Sequence, residues 1–170
     1  AIRLTGQDEV SLTALSTADL SYVGPLLTHL APRLARDRVS LAVASLRAYG
    51  LAPQLLDSLR KMRASGLTFA PEAGSQRLRD VINKNITDEQ LLETARMVFS
   101  RGWDKMKLYF ILGLPTETDD DLRGIVELGS RSQRIGKPLT RGRASVTLSV
   151  SVHVPKPHTP FQWCAMDSLG

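Results

Sequence analysis

Cysteine is almost missing from this chain: of 170 residues, only Cys164 carries a thiol. A single thiol closes no internal disulfide and has no CxxC partner, which excludes a disulfide scaffold and a cysteine-built structural zinc site. His29 and His153 are isolated, without a second ligand four residues on, so a histidine metal site is not indicated either. No apolar run approaches the ~18 residues of a membrane span. Aromatic residues make up 5% of the chain, too few for an obvious base-stacking platform. There is no P-loop lysine, no GxGxxG after a strand and no Ser-His-Asp arrangement. TFAPEAG lacks the glycine spacing of a dinucleotide fold.

What remains is an ordinary globular composition, 42% apolar and 23% charged, in a length that builds one domain, residues 1–170. The net charge of +5 is spread over separate groups, Arg33, Arg36 and Arg38, then Arg60, Lys61 and Arg63, then Arg141 and Arg143. Dispersed in this way it reads as a solvated basic surface rather than a nucleic-acid stripe. No basic-then-apolar leader stands before the first strand-like run, and one thiol suits a reducing compartment, so the expected address is the cytoplasm. Ala1–Gly6 reads as the tail of a helix with Gly6 as its C′ glycine, and the chain is expected to be a domain cut from a longer one.

Five strand-like runs follow in order, each leading into a helical pattern or the chain end. Glu9–Ser16 leads to a helix at Leu20–Leu34 with Asp19 as its cap, and Arg38–Leu46 leads to a helix at Pro53–Arg63. Leu67–Pro71 passes through Gly74 into a short helix, Gln76–Val81. Asp88–Arg101 is a second helix, with Thr87 and Gln90 spaced as a capping box. Lys105–Leu112 precedes a helix at Asp119–Gln133, capped by Thr118, and a crossover loop at Ile135–Arg143 leads to Ala144–Val152. The proline-rich PKPHTP stretch reads as a stiff, extended arm. Strand and helix in alternation predict right-handed crossovers and a mostly parallel α/β sheet, either open or closed as part of a barrel.

In such folds ligands gather at the C-terminal ends of the strands, where helix N-termini present free N–H groups. Four segments fall on that rim: Ser16–Asp19, Glu72–Ser75, Gly113–Thr116 and the tail after Val152. Glu72 leaves an apolar strand as a carboxylate suited to ribose hydroxyls or an ammonium. Gly74 removes a side chain where backbone approaches a ligand, and Arg77, one turn on, suits a carboxylate. Each has a plainer reading: Gly74 as a turn, Ser75 as a cap, Arg77 as a solvated cation. The bare edge at Gly113 suits a flat adenine, although GLP is also an ordinary strand-to-helix turn. Ser16 and Thr17 are explained as well by turn-making as by ligand contact.

Taken together, STADL, PEAGSQRLRDVINKNITDEQL, KLYFILGLPTETDDDL and SVSVHVPKPHTPFQW, in this order and spacing, resemble the radical S-adenosylmethionine (SAM) enzymes. The nearest branch is the cobalamin-binding type related to methylthiotransferases and anaerobic coproporphyrinogen oxidases. The resemblance runs from Glu9 to Trp163 and implies a partial (β/α) TIM-type barrel, of which this chain supplies about five βα units, strands two to six. It implies SAM and a [4Fe–4S] cluster in the parent protein, reductive cleavage of SAM to a 5′-deoxyadenosyl radical, and a place for cobalamin.

By the same resemblance Ser16 and Thr17 lie near the SAM amino group. Glu72 contacts the ribose and Arg77 pairs with the carboxylate. Gly113, Leu114 and Pro115, with Val154 and Pro155, edge the adenine. Lys156 and His158 are candidates for substrate contact. The chain departs from the family at the CxxxCxxC loop, which it lacks; Cys164 cannot replace three thiolates. The expectation is a SAM cradle completed by the rest of the parent chain and inactive alone. A non-catalytic nucleotide-binding module and an RNA-contacting domain are the alternatives.

Overall fold

The computed structural model describes residues 2–12, 22–43, 56, 57, 60 and 67–166. Ser16, Thr17, Asp19 and most of the expected helix Pro53–Arg63 lie outside them. The described elements alternate as expected. A short helix α1 (Ile2–Thr5) ends at Gly6, whose φ of +68° is the left-handed cap that glycine adopts without strain. Strand β1 (Glu9–Leu12) leads to helix α2 (Val23–Arg36), and strand β2 (Ser40–Val43) pairs in parallel with β1.

The second half is built from strand β3 (Leu67–Glu72), helices α3 (Gln76–Val81) and α4 (Asp88–Ser100), strand β4 (Lys105–Leu112), helix α5 (Asp119–Leu139) and strand β5 (Ser145–Val152). β3, β4 and β5 form a parallel three-stranded sheet in that order. The start of α4 follows from its capping box: Thr87 Oγ1 accepts from the Gln90 N–H at 3.2 Å, and Gln90 Oε1 accepts from the Thr87 N–H at 3.0 Å. The core lies between α4, α5 and one face of this sheet, where Phe69, Phe99, Phe110, Leu91 and Leu108 are fully buried. Each such side chain stabilises the fold by roughly 1.5–3 kcal/mol.

Two expectations are corrected. Helix α5 does not stop at Gln133; it runs through Gly136 and Pro138 to Leu139, so the crossover loop is short. Gly136 is helical for a packing reason: a Cβ there would stand 2.6 Å from the Phe99 ring and 2.7 Å from the Ala144 methyl. Pro138 lies in the last turn, one residue before the end of the helix. Thr140 then closes that end, its Oγ1 donating to Gly136 O at 3.0 Å and accepting from the Ala144 N–H at 2.7 Å.

The second correction concerns the tail, which is folded into turns over 157–164 rather than extended as a stiff arm. Thr159 Oγ1 donates to Lys156 O at 2.7 Å, and the Gln162 and Cys164 N–H groups close successive turns on Thr159 and Phe161. His158 takes φ +61° within them, a left-handed turn conformation that proline-flanked sequence does not announce. Among the described residues no helix is long and apolar enough to cross a membrane.

Candidate cofactor cleft

Three strand ends meet at one rim. β3 alternates buried Leu67, Phe69 and Pro71 with half-buried Thr68, Ala70 and Glu72. Between Phe69 and Glu72 its register on β4 shifts by one extra residue, in the stretch that contains Pro71, a residue with no N–H to give to a ladder. Glu72 leaves the bulge with φ +70°. A left-handed φ at a non-glycine costs about 1–2 kcal/mol and collects at functional positions. Its carboxylate accepts from Lys84 Nζ at 2.8 Å, both groups partly exposed. Lys84 reaches back because α3 is short and Asn83 turns the chain with φ +56°.

The strand end of β4 is held by its own loop. Gly113, at φ +76°, donates its N–H to Glu117 Oε2 at 2.7 Å, and Leu114 is buried beside Ala73 and Leu78. β5 ends where the His153 N–H reaches Leu112 O at 2.7 Å. The tail then folds back, so that the Phe161 ring meets the His153 ring edge-on with centroids 6.0 Å apart.

Between these ends lies a cleft of about 430 Å³, within the size range of small-molecule sites. Glu72, Leu114, Val154 and Lys156, all candidates from the sequence, line it together. Gly113, Pro115, Pro155 and His158 stand in the adjoining segments without lining it, and Ser16 and Thr17 lie outside the described residues. The lining also includes Ile82 and Phe161, which the sequence does not single out, and His153, which the sequence marks only as an isolated histidine. His153 Nε2 is buried with no hydrogen-bond partner among the described residues, an orphan polar atom on the wall of a cleft.

Arg77 sits beside this cleft in a closed network. Its guanidinium pairs with Asp121 and also donates to Thr116 O at 2.8 Å. Asp121, itself 2% exposed, accepts from Ser75 Oγ, and from the Thr118 N–H and Oγ1 at 2.7 Å each. Burial pushes its carboxyl pKa up, but the hydrogen bonds from Ser75, Thr118 and Arg77 outweigh that and hold it well below the usual carboxylate range. Gly74, expected to let a ligand approach, instead lets α5 approach: a Cβ on it would stand 2.1 Å from Asp121 O and 2.5 Å from Ile125 N.

Arg79 was invisible as a structural residue and is fully buried. It donates to Ile86 O at 2.9 Å and Ala73 O at 3.1 Å and pairs with Asp88, which Arg131 reaches from α5 at 3.0 Å. This one side chain ties the β3 loop, α3 and the start of α4 into a rigid floor for the rim.

A parallel α/β half-barrel with a small-molecule cleft across its C-terminal strand ends is the class of protein that the fold and site define. Comparison with known proteins names the family. The model of the Radical SAM superfamily matches residues 4–129, and the chain belongs to that superfamily. It is 34% identical over 161 residues to the uncharacterized protein MJ0966 of Methanocaldococcus jannaschii, covering 95% of this chain and 33% of that protein. Its fold is similar to coproporphyrinogen III oxidase (HemN) from Escherichia coli, a radical SAM enzyme. The TM-score is 0.65 at 14% identity, over 88% of this chain and 32% of the other. It is similar also to the radical SAM methyltransferase TsrM from Kitasatospora setae, a structure with cobalamin and a [4Fe–4S] cluster bound. There the TM-score is 0.66 at 15% identity, over 88% and 28%. The chain thus spans about a third of the length of the curated relative it matches.

The family's two cofactors fare differently against the residues present. SAM has a flat base, ribose hydroxyls and a zwitterionic end. The cleft offers apolar walls at Ile82, Leu114 and Val154, the Glu72 carboxylate with Lys84 paired behind it, the Lys156 ammonium, and His153 Nε2, which has no partner among the described residues. Those donors fit. A [4Fe–4S] cluster requires several thiolates, and the chain has Cys164 alone; among the described residues no three His, Cys, Asp or Glu side chains are grouped to hold a metal. The donor set does not fit a cluster.

Proposed function

We propose that this chain is the SAM-holding part of a longer radical SAM enzyme, with the cluster thiolates supplied by residues other than these 170. The single observation that carries the reading is the convergence of Glu72, Leu114, Val154 and Lys156 on one cleft, with Lys84 paired to Glu72. In the family SAM is the source of a 5′-deoxyadenosyl radical; every role below belongs to this chain's own residues.

Glu72 accepts hydrogen bonds from the ribose hydroxyls. Its left-handed backbone aims the carboxylate away from the β3 ladder, into the cleft. Lys84 then exchanges part of its pairing with Glu72 for the methionyl carboxylate, a charge-assisted contact of similar strength. Arg77, the sequence candidate for that carboxylate, is engaged by Asp121 and Thr116 and serves better to fix the Gly113–Thr116 turn. Leu114 and Val154 edge the adenine from turns shaped by Gly113, Pro115 and Pro155, and Phe161, folded over His153, limits water entry. Lys156, on the outer lip, faces whatever substrate approaches. No residue of this chain is assigned to cobalamin, and RNA is carried only as an alternative partner.

The test is anaerobic iron–sulfur reconstitution of the full-length natural protein, followed by iron content and dithionite-dependent 5′-deoxyadenosine formation from SAM. Bound iron with 5′-deoxyadenosine released, reduced at least tenfold in Glu72→Gln, supports the reading. A folded full-length protein that binds neither iron nor SAM would sink it and favour a non-catalytic nucleotide-binding or RNA-contacting module.

A further inference from the structure

The two faces of the β3–β5 sheet differ in character. Toward the helices, β4 sends Met106, Leu108 and Phe110, all buried, and β5 sends Leu148, whose methyls lie where a Cβ on Gly129 of α5 would fall. The opposite face carries Lys105, Lys107 and Tyr109 from β4, and the register sets them beside Ser145, Thr147 and Ser149 of β5. Thr68 of β3 flanks Lys107 from the other side. Parallel sheets are ordinarily covered on both faces, and barrel interiors are filled with Val, Ile and Leu. Here three successive layers contain no aliphatic side chain from β4 or β5. Lys105 and Lys107 are exposed and form no ion pair among the described residues; Lys107 Nζ lies 5.5 Å from the centroid of the Tyr109 ring. The next pair along the strands, Ile111 and Ser151, lines the cofactor cleft, so the polar face opens directly into it.

We propose that this face holds a small anionic substrate, with its carboxylate or phosphate group on Lys107 and the hydroxyls of Thr147, Ser149 and Tyr109 around it. Positive charge with no counterion among the described residues, ringed by hydroxyl donors, is the chemistry that binds an oxyanion. The row from Lys105 to Tyr109 spans about 13 Å at ~3.3 Å per residue, the length of a small molecule rather than a track for a polymer. That the ligand is a substrate rests on the SAM reading of the adjoining cleft; that an anion binds here does not.

Lysine acetylation footprinting of the full-length protein separates the two. Inorganic phosphate and succinate are titrated in parallel arms, and Lys105 and Lys107 are read against Lys137, an exposed lysine on α5. The proposal predicts at least fivefold protection of Lys107 by millimolar phosphate or succinate, with Lys137 unchanged, the stronger arm naming the oxyanion. Lys107→Met should abolish the accompanying protection of Lys105 while leaving SAM affinity as it was. Equal effects at Lys107 and Lys137, or none at Lys107 with either anion, would overturn it. Failure of the wild-type protein to bind SAM with the footprint intact would sink the cofactor reading while upholding the anion site.

Discussion

Gly74 and Gly124 meet back to back where the loop after β3 crosses the first turns of α5. A Cβ on Gly124 would stand 2.8 Å from Gly74 O, and one on Gly74 would strike the backbone of Asp121 and Ile125. Neither neighbour can yield, because both are main chain. This contact, rather than a ligand, is what glycine at position 74 provides, and it sets the distance between the Glu72 and Gly113 turns.

Gly74→Ala is therefore expected to destabilise the fold by about 2–3 kcal/mol, in the range of overpacking substitutions. Gly124→Ala should cost about 1–3 kcal/mol. Gly142→Ala is the contrasting case: it meets no atom within 4 Å and is strained only by its φ of +84°. Denaturant unfolding of the three variants checks the ranking.

Arg79→Met should be severe. It removes the guanidinium that satisfies Ile86 O and Ala73 O and leaves Asp88 with Arg131 alone. Breaking a buried pair from one side costs about 3–5 kcal/mol, and Arg79→Lys recovers only part of that because it cannot reach several acceptors at once. Thermal unfolding of both variants reads the difference.

Acid sensitivity should come from Asp121. Its folded pKa is depressed, so its contribution to stability is fully present above the ordinary carboxylate value of 3.8 and is lost as pH falls through the folded value below it. Unfolding free energy measured from pH 7 down to pH 2 should decline below about pH 5 in the wild type. Asp121→Asn should be less stable at neutral pH and flatter across the acid range.

Much of this architecture is legible from local chemistry. Gln76–Val81 and Lys105–Leu112 are bounded as the pattern predicts, because Ser75 accepts from the Leu78 N–H and β4 alternates exposed and buried residues from Lys105 to Phe110. What was not legible depends on distant partners. Gly136 reads as part of a crossover loop until Phe99 is placed against it, and the burial of Arg79 shows only when Ile86, Ala73 and Asp88 close around it. Lys84 lies twelve positions from Glu72, a separation at which no periodicity applies, and only the left-handed Asn83 brings the two together. Glu72 is thus legible as a carboxylate at a strand end, and the Lys84 that pairs with it is not.

Lys84→Met should weaken SAM binding about tenfold, equivalent to about 1.4 kcal/mol, with little loss of stability, because the Lys84–Glu72 pair is partly exposed. Equilibrium dialysis with the reconstituted full-length protein measures the first, and thermal unfolding the second.

The most direct test of the central claim, that the Glu72 cleft is the SAM site, is ultraviolet cross-linking of SAM to the full-length protein with the adducts mapped by mass spectrometry. The account predicts adducts on 113–115 and 152–161, lost in Glu72→Gln. Adducts confined to other segments, or unchanged by that substitution, would contradict it.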